Sequence, residues 1–544
     1  MTRQLMIIAA LLSALGWFAL LGYRDLIEPD EGRYAEIPRE MVASGDWLTP
    51  RLDGFKYFEK PVLQYWATAV GFELFGINNT SARLWPALTG FLCALFIWFA
   101  GRRFYGPEAG FAAFIITLNY PLFVGMGHIL TLDMAVSAFL VLAVCSLALG
   151  QARRDQPAAL RNWMLLAWGA CALAVLTKGL IGLILPGGAV IVYSLWQRDW
   201  SLWKHLHLGK GLLLFTALTA PWFVAVSLKN PEFAPFFFIH EHFARFTSDV
   251  HDRAGAPWYF VPMVLGGTLP WLAVTLKGLC LPGFSWRGGD EKGFNGERFL
   301  WVFAAVVFAF FSVSHSKLPP YILPILPVLA LFAGKQLAAQ GRDRISAGIM
   351  LTMGACCLVA APWLERLASN QIPAPLFTAF RPWLMGSGLL FILGGIMGWR
   401  GDRRRPAFLS VTGLVVLLAL QLLSWGYQSM APTRSSQAMA AAIQTAAPNP
   451  SEIFAVETSD HPQSLPFYLG RTVTIVAYKN EMAMGIDAEP AKWIATPEEF
   501  VNRWRDAERP VAIIDQDIYE KYQLRGVPMR VIFENPRRLV LVKP

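Results

Sequence analysis

Charged residues are the scarcest class in this 544-residue chain: 16% are Asp, Glu, Lys or Arg and 55% are hydrophobic. A soluble domain is about a quarter charged. The deficit is spread over repeated apolar runs, which excludes an ordinary soluble fold and predicts a polytopic membrane protein. Cysteine is scarce too. Cys93, Cys145, Cys171, Cys280, Cys356 and Cys357 all lie in or at the ends of apolar runs, so no disulfide and no thiolate metal site is expected. Internal repeats and low-complexity tracts are absent. The first apolar run, residues 5–21, has one cation before it (Arg3) and no small-x-small pattern after it. A retained helix is therefore expected rather than a cleaved signal peptide.

A spanning helix needs about 20 mostly apolar residues. Thirteen runs approach that length: 5–22, 81–101, 107–124, 131–150, 163–177, 180–196, 210–228, 257–281, 298–314, 319–334, 345–363, 382–399 and 406–426. The run 319–334 carries Pro319, Pro320, Pro324 and Pro327 and must be kinked. With the N-terminus in the cytoplasm, every inside connection is basic: Arg102/Arg103, Arg153/Arg154/Arg161, Arg198/Lys204, Lys277/Arg287/Lys292/Arg298, Lys335/Arg342/Arg344 and Arg400/Arg403/Arg404/Arg405. That is the positive-inside pattern, and it accounts for the net charge of +9 without a nucleic-acid partner.

The same alternation places outside the stretches 23–61, 229–256 and 364–381, the turns before Thr131 and around His315–Lys317, and everything from 430 onward. Residues 27–61 hold eight acids with five cations between them, more than a connector needs, and are read as a catalytic loop. Two interfacial helices are expected near it, over 29–44 and 62–77. After Met430 polar residues return with short β-rich runs (IFAVE, TVTIVAY, VAIID, RLVLV), which predicts a small α/β domain over 430–544 beside a membrane domain over 1–429.

Carboxylates at a bilayer boundary are costly and usually functional. Asp30 and Glu31 follow Pro29; the competing reading is a helix N-cap with the helix starting near Gly32. Asp133 stands three residues into the fourth span, as a second site acid or as half of a salt bridge to Arg33 or Lys60. Arg33, Lys60, Lys178 and Lys317 are outer-face cations, either snorkelling to headgroups or stabilising a leaving phosphate. Tyr34, Tyr57 and Tyr321 add hydroxyls beside them, or anchor as interfacial aromatics. In IHEHFARF, His240 and His242 are two apart and point in different directions on a helix. His240 with Glu59 across the loops would hold a divalent ion such as zinc; an interfacial hydrogen-bonding role competes.

PDEGRYAEIPREMVASGDWLTP, YFEKP, TLD, TKG, HEHFARF followed by APWYFVP, SKLPPYILP and the terminal RRLVLVKP resemble the 4-amino-4-deoxy-L-arabinose (aminoarabinose) transferases of lipid A over nearly the full length. The resemblance implies the GT-C membrane glycosyltransferase fold, shared with protein O-mannosyltransferases, with Asp30 matching its first-outer-loop acid. It also implies a Gram-negative inner-membrane enzyme that takes aminoarabinose from undecaprenyl phosphate and places it on lipid A phosphates at the periplasmic face, conferring polymyxin resistance. Donor lipid, lipid A and bilayer are the implied partners, and a divalent metal such as zinc is the one cofactor left open. A protein O-mannosyltransferase is the nearest alternative. A flippase would instead carry its essential acids at the bilayer midplane.

Overall fold

The computed structural model describes residues 2–244, 255–280, 293–341, 343–401, 406–458 and 461–544. Arg245 and the expected inside cations Arg287, Lys292, Arg342, Arg403, Arg404 and Arg405 lie outside them. All thirteen apolar runs contain helix. Among the described residues nine helices are long and apolar enough to cross a bilayer, and two bent pairs bring the figure to at most eleven: Pro107–Thr117 with Pro121–Gly127, and Phe260–Gly267 with Leu272–Leu279. Arg3–Phe18 and Ile181–Gln197 are apolar but shorter. A 17-residue helix is only about 25 Å long, less than the ~30 Å hydrocarbon core. Thirteen crossings therefore holds only if both bent pairs and both short helices span. The proline-rich run is broken as expected, with a tight helical turn over Pro319–Ile325 leading into Leu326–Gln340.

Asp30–Ser44 and Leu63–Phe75 form the two helices expected in the first polar stretch, joined by a short hairpin of Arg51–Leu52 and Phe55–Lys56. Gly45 ends the first of them with φ +71, a left-handed cap that a side chain would strain. The Asp30–Ser44 helix is not a surface element: Glu31 through Met41 are all buried.

The C-terminal region covers it. Its five-stranded sheet runs in the order Thr474–Val476, Glu452–Val456, Pro510–Asp515, Arg538–Val542, Arg530–Glu534; the first three strands are parallel and the last two antiparallel to their neighbours. The edge strand Arg530–Glu534 was missed in the sequence, since no alternating buried face marks it. One face of the sheet packs Phe500 and Trp504, the other Met439 and Ile443. Ile475 of the sheet, with Phe467, Met482 and Ile486 beside it, enters the same apolar core as Tyr34, Tyr57, Tyr65 and Phe72. Gly32 makes this approach possible: a Cβ there would stand 2.4 Å from the Ser464 backbone nitrogen.

Charge pairs fix the register of this docking. Glu28 accepts from Ser464 at 2.7 Å and from Arg538 at 3.0 Å, Arg51 meets Glu489 at 2.9 Å, and His461 meets Asp53 at 2.5 Å. Behind the last pair, Glu36 holds Arg39 and Glu40 accepts from the Gly54 amide at 3.0 Å. Burial, helped by the neighbouring Asp53 charge, pushes the Glu40 carboxyl up to about 7. The folded state then keeps a proton that the unfolded chain releases near its ordinary 4.5. The resulting stabilisation is complete below pH ~4.5 and is lost as pH rises through about 7. Glu40→Gln is expected to raise the thermal midpoint at pH 8 and leave it unchanged at pH 4. A midpoint shift of equal size at both pH values would contradict this origin.

Candidate active site

The Asp30–Ser44 helix begins at Asp30 itself, with Pro29 before it and no side-chain cap. The N-cap reading of Asp30 is therefore wrong. Adjacent acids on a helix point about 100° apart, and these two do opposite things. Glu31 is buried in a bidentate pair with Arg83 at 2.7 and 2.8 Å and also accepts from the Leu130 and Ile27 amides. Asp30 points the other way, its side chain 53% exposed, and meets Arg33 at 2.5 Å one helical turn on.

Arg33 is the hub. Its guanidinium donates to Asp30, to Glu481 at 2.7 Å and to the Tyr57 hydroxyl at 2.9 Å, and lies against the rings of Tyr34 and Tyr57. The Glu59 charge also acts on it. Burial raises the Glu481 carboxyl, with Arg33 opposing. Tyr34 is buried, stacks on Tyr65 with centroids 6.0 Å apart, and feels both Asp30 and Asp133. Asp133 starts its helix and pairs with Lys178, whose ammonium sits 4.7 Å from the Tyr321 ring centroid. The salt-bridge partner of Asp133 is thus Lys178, and not Arg33 or Lys60. Lys60 lies on the far side, donating to the Glu59 carbonyl at 2.8 Å and to Glu241 at 3.1 Å. Lys317 is buried four residues before Tyr321 and donates to the Ser314 carbonyl at 2.5 Å.

Residues from five separate stretches so gather in one site: Arg33 touches Asp30, Tyr34, Tyr57 and Glu481, Asp133 holds Lys178 against Tyr321, and the Glu59 and Asp133 charges act on Arg33 and Tyr34 respectively. It presents an open carboxylate (Asp30) beside cations already aimed by their own anionic partners. Such fixed charges favour a transition state in which charge moves, because they need no reorganisation when it does.

The chain matches two family models in succession. Residues 1–237 match dolichyl-phosphate-mannose-protein mannosyltransferase, and residues 439–543 match the aminoarabinose transferase C-terminal domain. The undecaprenyl phosphate-alpha-4-amino-4-deoxy-L-arabinose arabinosyl transferase of Erwinia tasmaniensis is 33% identical over 411 residues, 72% of either chain. This chain belongs to that transferase family. Members are glycosyltransferases, and the match extends to the tertiary level. The crystal structure of ArnT from Cupriavidus metallidurans bound to undecaprenyl phosphate superposes with a TM-score of 0.89 at 33% identity, covering 98% of this chain and 97% of that one. The archaeal oligosaccharyltransferase AglB of Archaeoglobus fulgidus shares the fold alone, with a TM-score of 0.52 at 12% identity.

Against that family background, two site groups came from outside the polar loop reading. Glu481 lies 448 residues from the Arg33 it holds, in the C-terminal region where periodicity marks only a sheet. Tyr65 sits in the apolar helix read as interfacial. The Glu59–His240 metal reading is not supported by the geometry. His240 is half-exposed, stacks on Phe236 and stands 3.8 Å from Glu241, and it is Glu241 that reaches Lys60. Among the described residues no group of three or more His, Cys, Asp or Glu side chains is placed to hold a metal ion, short of the ligand count a zinc site takes from protein.

Proposed function

We propose that this transferase moves 4-amino-4-deoxy-L-arabinose from undecaprenyl phosphate to a phosphate group of lipid A, at the periplasmic face of a bacterial inner membrane. The observation that carries this reading is the near full-length agreement with a family structure described as bound to undecaprenyl phosphate. The match of residues 439–543 to the aminoarabinose domain supports the sugar, and the basic inside loops support the sidedness. Loss of negative charge on lipid A would weaken binding of cationic peptides such as polymyxin.

In this reading both substrates are lipids, and a site at the membrane rim serves both. The acceptor phosphate monoester has its second pKa near about 6 and arrives largely as a dianion at pH 7, so no base has to remove a proton. Its oxygen attacks the anomeric carbon, the bond from that carbon to the carrier phosphate breaks with its electron pair, and undecaprenyl phosphate leaves as the new dianion. Configuration inverts in this single displacement. Asp30 faces the sugar and stabilises the positive charge that builds at its anomeric centre as the carrier phosphate leaves. Lys60, Arg33, Tyr57 and Lys317 hold the carrier phosphate as its charge grows, with Tyr34, Asp133 and the Lys178–Tyr321 pair shaping the opposite wall. A protein serine acceptor would need a true general base instead, the chemistry of the mannosyltransferase alternative raised by the match over residues 1–237.

The decisive assay is transfer in vitro from undecaprenyl phosphate-aminoarabinose to purified lipid A, read by mass spectrometry, with a serine peptide as rival acceptor. Modified lipid A and unmodified peptide are expected; glycosylated peptide with untouched lipid A would reverse the assignment. Lys60→Ala is expected to weaken binding of undecaprenyl phosphate about tenfold, since a charge-assisted contact is lost. Titration by intrinsic fluorescence or native mass spectrometry checks it, and an unaltered Kd would remove Lys60 from the phosphate site.

A further inference from the structure

Within the tyrosine cluster, the Tyr57 hydroxyl accepts from Arg33, while the Tyr65 hydroxyl is buried with nothing to explain it. The residue is completely buried, and its hydroxyl has no hydrogen-bond partner among the described residues. A buried phenol usually finds a partner, and leaving one unmade costs more than replacing it with carbon. Phenylalanine would therefore pack there at no loss to the fold.

Its surroundings are those of the active site. The ring stacks on Tyr34, against which the Arg33 guanidinium also lies, 5.6 Å from that ring's centroid. The charges of Arg33 and Glu59 both act on the Tyr65 phenol. A second buried donor in the cluster, the Arg33 Nε–H, is likewise without a partner, although both terminal nitrogens of the same guanidinium donate to Tyr57, Glu481 and Asp30. Two buried hydrogens with nothing to accept them thus belong to one cluster, since Tyr65 and Arg33 both lie against Tyr34, and the Asp30 and Glu481 carboxylates already receive hydrogen bonds from Arg33. What such a pair selects is a ligand rich in acceptor oxygens.

We propose that the Tyr65 hydroxyl is a donor-contacting group, giving its hydrogen bond to an oxygen of the sugar-phosphate head that the polyprenyl lipid carries into the site. The assignment rests on the donor reading made above. It makes Tyr65 a residue kept for binding at some expense of stability.

Tyr65→Phe removes the hydroxyl and nothing else. The thermal midpoint of the variant in detergent is expected to equal or exceed that of the wild type, while donor affinity or kcat/KM falls about tenfold or more. Measuring affinity for undecaprenyl phosphate and for undecaprenyl phosphate-aminoarabinose locates the contact. Weakening of both places it on the phosphate, and weakening of the second alone places it on the sugar. A lowered midpoint with unchanged affinity would show a structural hydroxyl and overturn the assignment. So would wild-type levels of affinity and turnover. Wild-type protein that binds neither lipid would overturn the donor reading itself.

Discussion

Asp30→Asn is expected to reduce transfer by about 10³-fold or more while the protein folds normally and still binds undecaprenyl phosphate. The carboxylate is half in solvent, caps no helix, and has Arg33 as its one ion-pair partner among the described residues. Arg33 keeps Glu481 and Tyr57 when Asp30 is neutralised. An exposed ion pair is worth about 0–1 kcal/mol, so stability should hardly change. The loss falls on the reaction, because the sugar centre would no longer face a negative charge as its bond to the carrier phosphate opens. Single-turnover transfer with saturating donor isolates the step. Turnover within tenfold of the wild type would show that Asp30 does not act at the sugar.

The neighbouring acid should behave in the opposite way. Arg83 and Glu31 are 0% and 1% exposed in their side chains, and Arg83 also donates to the Leu21, Arg24 and Asp25 carbonyls. Arg83→Leu would strand Glu31 and those carbonyls in a dry interior, a change that costs about 3–5 kcal/mol when one partner of a buried pair is removed. A large drop in thermal midpoint and in yield is expected. The double variant Arg83→Leu/Glu31→Leu should recover part of that stability, since it leaves no uncompensated charge. Full stability of the single variant would show that the pair is not what closes the loop against the membrane helices. Together the two variants separate chemistry from folding at consecutive positions.

That separation marks how far the sequence could be read. Asp30 and Glu31 look alike on paper: both follow a proline, and both stand in the first turn of an amphipathic helix. Only the placement of Arg83, 52 residues away, makes one of them structural. Asp133 was recognisable as an acid too near a membrane to be idle, yet its partner Lys178 lies 45 residues on, across a helical hairpin. His240 invites pairing with Glu59 across the loops at a divalent ion; packing instead leaves His240 half-exposed beside Phe236 and turns Glu241 toward Lys60. Tyr65 belonged to an apolar run and carried no signal until its hydroxyl proved to be buried without a partner.

The sequence by itself determined the membrane class, the helical runs, the acidic loop and the α/β character of the C-terminal region. Hydropathy and periodicity act over a few neighbouring residues, and a bilayer or a sheet reads them directly. Tertiary structure alone decided which charges meet, that the C-terminal region brings Glu481 onto Arg33, and which acid stays open to substrate. Those outcomes depend on contacts between residues as many as 510 positions apart. Desolvation makes each such pairing all-or-none, since a buried charge is tolerated only where its partner arrives.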